Sequence, residues 1–467
     1  LTGDSDTSGG ADRFKVFNDA VLNSAGDMTL TLNGGAGTIS SAGAATMVSG
    51  GSININGAWD VDTATTMTAG GSIDVTGALN VNGSMTVTSG GTMTLGDIFA
   101  SGATATFNAD DGINVNGNFI ATGNVALDGD ANSIVDGNDT ITLANGITVE
   151  STTGGVTFGS AASALGAITV LAANGIDVNG TFSSLGLTTF NADNESNGVG
   201  DFTVGAEGSV NSNNNAMTIN ARDVDLQGTL SAGALGSITL EFSGAGQIAL
   251  GDSTLCPNCA MQISGSELQN ITAGTFTVNN SDNAIFVDNV SAANSNTIGM
   301  VALNSAKHIA FQGNASTFNG LTASATTDMD VRVDVTTDTG DLILTGDSDT
   351  SGGADRFKVF NNSVLTSAGD MTLTHTGLGG TIEVASIGVM TAGGTLTLGS
   401  NLTAGFHSTM SANDGINING NLTAWGDINL NGDANSIADG NDTITFANGI
   451  VVYSTNRSVT FDSATSA

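Results

Sequence analysis

The chain has 467 residues, with 44 acidic against 8 basic side chains and a formal net charge of −36. Charged residues make up only 11%, Gly fills 66 positions and Pro one, so a helical bundle, which needs Lys, Arg, Glu and Gln on its surfaces, is excluded. Gly shows no period of three and Pro occurs only once, which excludes collagen; eight basic residues in a field of acids exclude the electrostatic footprint of nucleic-acid binding. Apolar residues reach 39% and are regularly placed, unlike a charge-driven disordered chain.

Residues 1–18, LTGDSDTSGGADRFKVFN, return unchanged at 344–361, and SAGDMTLT at 24–31 returns at 367–374, both at an offset of 343. Further on, DGINVNGNFIATGNVALDGDANSIVDGNDTITLANGI at 111–147 returns as DGININGNLTAWGDINLNGDANSIADGNDTITFANGI at 414–450, where the offset is 303. Between these anchors the second copy has lost 343 − 303 = 40 residues.

A shorter period explains that number. Gly50-Gly51-Ser52-Ile53, Gly70-Gly71-Ser72-Ile73, Gly90-Gly91-Thr92-Met93 and Asp110-Asp111-Gly112-Ile113 follow one another at steps of 20. Apolar columns keep that step: Ile55, Val75, Leu95 and Val115; Trp59, Leu79, Phe99 and Phe119; Met47, Met67, Val87, Phe107 and Leu127. Inside each unit the apolar residues come as i, i+2 pairs, such as Ile73/Val75, Leu79/Val81 and Met85/Val87, with glycines between. Each pair reads as a short strand with one buried face. Three strands and three corners per 20 residues predict one turn of a coil stacked on its neighbours: an all-β parallel β-helix, a solenoid. Residues 175–180 repeat the pattern, 216–230 and 237–250 alternate as strands, and 251–345 keep period two less regularly. The expectation is one continuous solenoid over 1–467, with 1–343 a first unit and 344–467 a partial second unit shortened by about two turns. At a uniform 20 residues, about 23 turns at about 4.8 Å would give about 110 Å.

The blocks AGDMTLT (25–31), ARDVDLQGTL (221–230) and SGSELQNITAGTFTV (264–278), with Asp-rich stretches at 1, 127, 344 and 430, resemble the repeat shafts of filamentous haemagglutinin-like adhesins and other giant repetitive bacterial surface proteins. That resemblance implies a right-handed β-helix, secretion through the outer membrane, and a shaft, adhesive or matrix role. It fits a composition of Asp/Asn/Thr-rich β repeats with almost no Lys, which points to the outside of a bacterial cell. The expected partners are further copies or flanking repeats of the same polypeptide and cell-surface glycans; no nucleic acid and no membrane span are expected. The repeated phrase at Leu1, which at Leu344 continues from Asp341-Leu342-Ile343, predicts a polypeptide that runs on at both ends.

Candidate chemistry lies in three places. Asp4, Asp6 and Asp12, matched by Asp347, Asp349 and Asp355, and the related loops with Asp128, Asp130, Asp136 and Asp139, then Asp433, Asp439 and Asp442, could supply the oxygens that Ca²⁺ requires. The alternative is a polar turn in which Asp and Asn bond their own backbone. Cys256-Pro257-Asn258-Cys259 reads as a local disulfide, a redox pair or half a zinc site; zinc needs four ligands and no second CxxC exists, and an extracellular setting favours the disulfide. His308, His375 and His407, with two Trp and one Tyr, are the sparse material for a carbohydrate-active β-helix enzyme, the alternative to a non-enzymatic shaft. Trp59, Phe99 and Phe119 fall at interior spacing and read as core. Arg13 and Lys15, repeated as Arg356 and Lys358, read as the outward face of a strand. Thr86/Thr88 and Thr92/Thr94 raise an ice-binding β-helix but lack a sustained column of 20-spaced partners.

Overall fold

The apolar pairs of the predicted columns, from Ile53/Ile55 to Val125/Leu127, are strands whose apolar side chains point inward. Ile73–Val75, Leu79–Val81 and Met85–Ser89 form one turn; Met93–Leu95, Phe99–Ser101 and Ala105–Ala109 form the next. The computed structural model in which they are seen describes residues 1–3, 13–16, 19–32, 38–134, 136, 138–252, 254–349, 355–360, 362–377, 380–437 and 441–466. It is nearly all parallel β, with coils stacked into a β-solenoid, and it divides into two compact units, Leu1–Gly236 and Ser237–Ala467.

In the first unit the three predicted columns stand in register. Val75 pairs with Ile55 and Leu95, and Leu95 with Val115. Leu79 pairs with Trp59 and Phe99, and Phe99 with Phe119. Met47, Met67, Val87, Phe107 and Leu127 form the third face. All of these side chains are buried. Phe99 and Phe119 stack with ring planes 2° apart and centroids 6.1 Å apart, and Phe107 meets Phe119 edge-on at 5.1 Å, a mixture of geometries that the ring quadrupole favours. Trp59 is core, as its spacing predicted.

Parallel stacking uses each strand's backbone donors and acceptors on both sides, which a proline could not do. The one proline accordingly sits in a loop, at Pro257. Buried serines serve the corners: the Ser89 hydroxyl donates to the carbonyls of Gly71 and Gly91, both at 2.9 Å, and the Ser101 hydroxyl to that of Gly83 at 3.0 Å. Corner glycines allow the turns to touch, since a Cβ on Gly117 would lie 2.4 Å from the carbonyl carbon of Asp97. Outward columns mix charged with neutral residues, as in Asn54, Asp74, Thr94 and Asn114. Like charges directly opposite would repel, and here Asn80 instead donates to the Asp60 carboxylate below it at 2.9 Å.

Turn length is not uniform. It is 20 from Ile53 to Ile113, then Ile113 pairs with Ile141, Phe119 with Val149 and Val125 with Val156, steps of 28, 30 and 31. After the extra residues the chain resumes the same columns at Ile141, Val149 and Val156. Such insertions bring the number of turns among the described residues to about 19, below the 23 expected at a constant 20.

The second unit is built likewise, with a correction. Residues 264–270, expected to continue the strand pattern, form a helix, Gly265–Gln269. The Ser264 hydroxyl accepts from the Glu267 N–H at 3.2 Å while Glu267 accepts from the Ser264 N–H at 2.7 Å, the reciprocal capping box that S-x-x-E encodes. A second short helix, Ala292–Ser295, packs beside it, with Asn294 Nδ2 donating to the Gly265 carbonyl at 2.9 Å.

The repeats are repeated structures. Met28 pairs with Ile53 and Met371 with Leu396, both steps of 25. The first copy then takes three steps of 20 to Ile113, and the second takes one, from Leu396 to Ile416. Beyond that point both copies step 28, 30 and 31, through Ile416–Ile444, Leu422–Val452 and Ile428–Val459. Two whole turns are missing and the register is otherwise unchanged.

Candidate functional site

The Asp-rich loops in the long turns are described for Asp128, Asp130, Asp136, Asp139, Asp433 and Asp442; Asp4, Asp6, Asp12 and Asp439 lie outside the described residues. In the first loop the Asp128 carboxylate accepts from the Asp130 N–H at 3.1 Å, Asn132 from the Ile134 N–H at 2.7 Å, and the Ser160 hydroxyl from the Gly129 N–H at 2.7 Å. In the second loop Asn431 accepts from the Asp433 N–H at 3.1 Å, Asn435 from the Ile437 N–H at 2.8 Å, and Ser463 from the Gly432 N–H at 3.0 Å. Asn431 therefore does what Asp128 does, so this position needs an oxygen acceptor and not a charge, the signature of a side-chain-closed turn. Gly112 and Gly415, at φ +94° and +99°, bear the left-handed backbone beneath the two loops.

Asp136 and Asp139 do approach each other, the Asp136 N–H donating to Asp139 Oδ2 at 3.2 Å. A hydrogen bond with the Asp139 side chain raises the Asp136 carboxyl above its ordinary pKa, helped by burial and by the charges of Asp139 and Asp111. Asp347 is buried and lies 3.8 Å from His375, whose Nε2 is 3.2 Å from the Asp355 carbonyl. Burial, then the charges of Asp347, Asp328 and Asp349, raise the Asp355 carboxyl. Among the described residues no three of His, Cys, Asp and Glu converge as a metal-ligating group.

Cys256 and Cys259 are joined in a disulfide with Cα atoms 5.3 Å apart. Both are nearly buried, against Ala249 and Phe286. This is an outer cluster, because Ala249, Phe286, Ala310, Asp330, Lys358 and Glu383 are successive outward positions of one face. The disulfide loop covers its first rungs. Closing so short a loop stabilises by about 2 kcal/mol. Replacing both cysteines with serine should therefore speed amide exchange in residues 254–262 by about 30-fold and leave the strands on either side protected.

Farther along the same face sits the most organised charge cluster of the unit. Asp330 occupies an outward position, yet its side chain is fully buried. Arg356 Nε and Nη2 donate to its two oxygens at 3.0 and 2.9 Å, Arg332 Nη2 donates at 2.8 Å, and His308 Nε2 lies 3.5 Å away. Burial pushes the Asp330 carboxyl up, but His308, Arg356 and Arg332 together outweigh it and hold the group far below the ordinary carboxylate range. The His308 ring stands edge-on to Phe286, 6.0 Å between centroids, and so joins this cluster to the disulfide rungs. The Phe360 ring lies within reach of three cations, Arg332 at 4.8 Å, Lys358 at 5.1 Å and Arg356 at 6.0 Å. Lys358 also pairs with Glu383 at 3.3 Å. The outward reading of Arg356 and Lys358 is correct, while Asp330 gave no signal as a solitary Asp in an alternating strand. Its stacking on Lys358 depends on a turn of 28, Met329 to Phe357, which no constant period reveals.

The three histidines do not form one site. Each faces its own carboxylate: Asp330 for His308, Asp347 for His375, and Asp427 for His407 at 3.3 Å. Chemically, the Asp330 cluster is an ion-pair clamp whose carboxylate oxygens are already taken by guanidinium groups, which suits holding turns together better than proton transfer. No helix in the described residues is long and apolar enough to cross a membrane. No known protein family, no curated protein and no solved structure matches this chain.

Proposed function

We propose that this chain is a non-enzymatic structural segment of an extracellular bacterial surface protein, a β-solenoid shaft of the kind its phrasing resembles, with flanking repeats of its own polypeptide and cell-surface glycans as partners. The observation that carries this reading is the stacking, within each unit, of inward apolar residues over inward apolar residues among the described strands. Each turn rests on its neighbours alone, so length is added or removed by whole turns, as the two copies do. The net charge of −36 keeps such a surface soluble. In support of a structural role over a catalytic one, Asp330, the most enclosed carboxylate of the outer face, is committed to ion pairs that bridge turns.

Antibodies raised against the chain should label intact, unpermeabilised cells of the bacterium that makes it. Labelling that appears only after lysis would overturn the reading.

A further inference from the structure

We infer that an outer edge of the second unit, built by Phe406, His407, Trp425 and Tyr453, binds a neutral saccharide. Phe406 and His407 form the corner between the strands Asn401–Ala404 and Ser408–Ala412, and Trp425 forms the corner one turn on, after Leu422–Ala424. The corners are stacked by a hydrogen bond from the Gly426 N–H to the Phe406 carbonyl at 2.6 Å. Upon that backbone the Phe406 and Trp425 rings lie nearly parallel, 26° apart with centroids at 5.4 Å, and the His407 ring stands edge-on to Phe406 at 4.1 Å. Trp425 is 50% exposed and Tyr453, on the following turn, 54%. Tyr453 stands beside Thr423 on the adjoining outward face, two residues before the position in register with Trp425, while the other Trp, Trp59, is fully buried.

The coil does not require these rings. At an offset of 303 the first copy carries Ala103, Thr104, Thr122, Asn124 and Glu150 where the second has Phe406, His407, Trp425, Asp427 and Tyr453. The inward residues beside them remain apolar: Phe99 and Leu402, Phe119 and Leu422, Val125 and Ile428. The same turns are built without an aromatic edge in one copy and with it in the other. Large apolar rings added to solvent, with no interior role, mark a contact surface.

The surroundings define the ligand. His407 Nδ1 accepts the Asp427 N–H at 2.9 Å, which leaves Nε2 as the protonated, donating nitrogen. The Asp427 carboxylate accepts the Ser458 N–H at 3.1 Å and hydroxyl at 2.9 Å, contacts that lower its pKa and keep it charged. Thr403 and Thr423 bring their hydroxyls to 3.1 Å on the outward face that Tyr453 continues. A ligand for this edge offers a flat C–H face to the indole and hydroxyls to the rim, which describes a pyranose. Asp427 and the −36 charge disfavour an acidic sugar. Four residues fall far short of the roughly 800 Å² per partner that a stable protein interface buries. Phe406 holds Trp425 in place before any ligand arrives, so little ordering cost remains.

This deepens the surface-protein reading by naming a ligand class. Its failure would leave the shaft reading standing, and failure of cell labelling would not touch a binding event measured on purified protein. The experiment is affinity electrophoresis of the full chain in gels cast with three neutral polysaccharides, a mixed-linkage β-glucan, a galactomannan and dextran, and with polygalacturonate as the acidic contrast. We expect retardation by at least one neutral polymer and none by polygalacturonate. Trp425→Ala should weaken the retardation constant by at least ~10-fold. Conversion to the first-copy residues (Phe406→Ala, His407→Thr, Trp425→Thr, Tyr453→Glu) should abolish it in a chain that keeps its far-UV circular dichroism, since those residues already occupy equivalent turns. Migration unchanged in every neutral gel, retardation by polygalacturonate alone, or retardation equal in the four-residue variant would each overturn the assignment.

Discussion

Phe119→Ala should destabilise the first unit by about 3–5 kcal/mol, the range for removing a large aromatic from a core that cannot collapse around the gap. Phe119 is 1% exposed and touches the Phe99 and Phe107 rings, so its loss strips contacts from two faces of the coil at once. The adjacent Ile120 points outward and is 38% exposed; Ile120→Ala should change stability by less than about 0.5 kcal/mol. Urea unfolding followed by the fluorescence of buried Trp59, which lies in the same column as Phe119, reads both variants. Equal losses from the two substitutions would contradict the in-and-out alternation.

In the second unit, Asp330→Ala should lose about 2–4 kcal/mol at pH 7. Breaking a buried ion pair costs about 3–5 kcal/mol, and the figure is reduced here because Arg332 and Arg356, with side chains 47% and 44% exposed, can regain water. The pH dependence has a definite sign. The folded-state pKa of Asp330 is depressed, so its stabilisation is fully present above the ordinary carboxylate pKa of about 4 and is lost as pH falls from there through the folded value. The gap between wild type and Asp330→Ala should therefore be constant at neutral pH and narrow below about pH 4. Arg356→Ala should raise the Asp330 pKa and bring acid unfolding of this unit to higher pH. Parallel stability profiles of wild type and Asp330→Ala down to pH 2 would show that the carboxylate's charge contributes nothing.

The columns at Ile55, Trp59 and Met47 were legible because strand alternation and a constant turn length of 20 are both written directly in residue identity. The paired copies were legible for the same reason: an identical phrase implies an identical coil. Features that depend on turn length were hidden. Asp330 meets Lys358 and Arg356 only after a turn of 28, and the Phe406–Trp425 stack depends on corner residues that interrupt the alternation. The helix at Gly265–Gln269 is a different case, since Ser264-x-x-Glu267 is a readable start signal. The reading of 251–345 as loosely period two, resting on pairs such as Phe276/Val278, did not take up that signal. For the Asp loops the composition allowed both a turn and a cation site; the equivalence of Asp128 and Asn431 as acceptors for the same backbone N–H was visible only once the contacts were known.

The stacked-turn account is tested most directly by deletion. Removing residues 73–92 joins Ser72 to Met93 and brings Met93, Leu95, Phe99 and Phe107 onto Ile53, Ile55, Trp59 and Met67, the positions that Ile73, Val75, Leu79 and Val87 now hold. Removing residues 73–82 instead shifts every later strand by half a turn and sets strands over corners. Urea unfolding of the two variants, followed by Trp59 fluorescence and far-UV circular dichroism, should show the twenty-residue deletion unfolding cooperatively within about 1 kcal/mol of wild type. The ten-residue deletion should fall more than about 3 kcal/mol below it. Equal stability in the two deletions, or a shorter deletion that is the better tolerated, would contradict the coil.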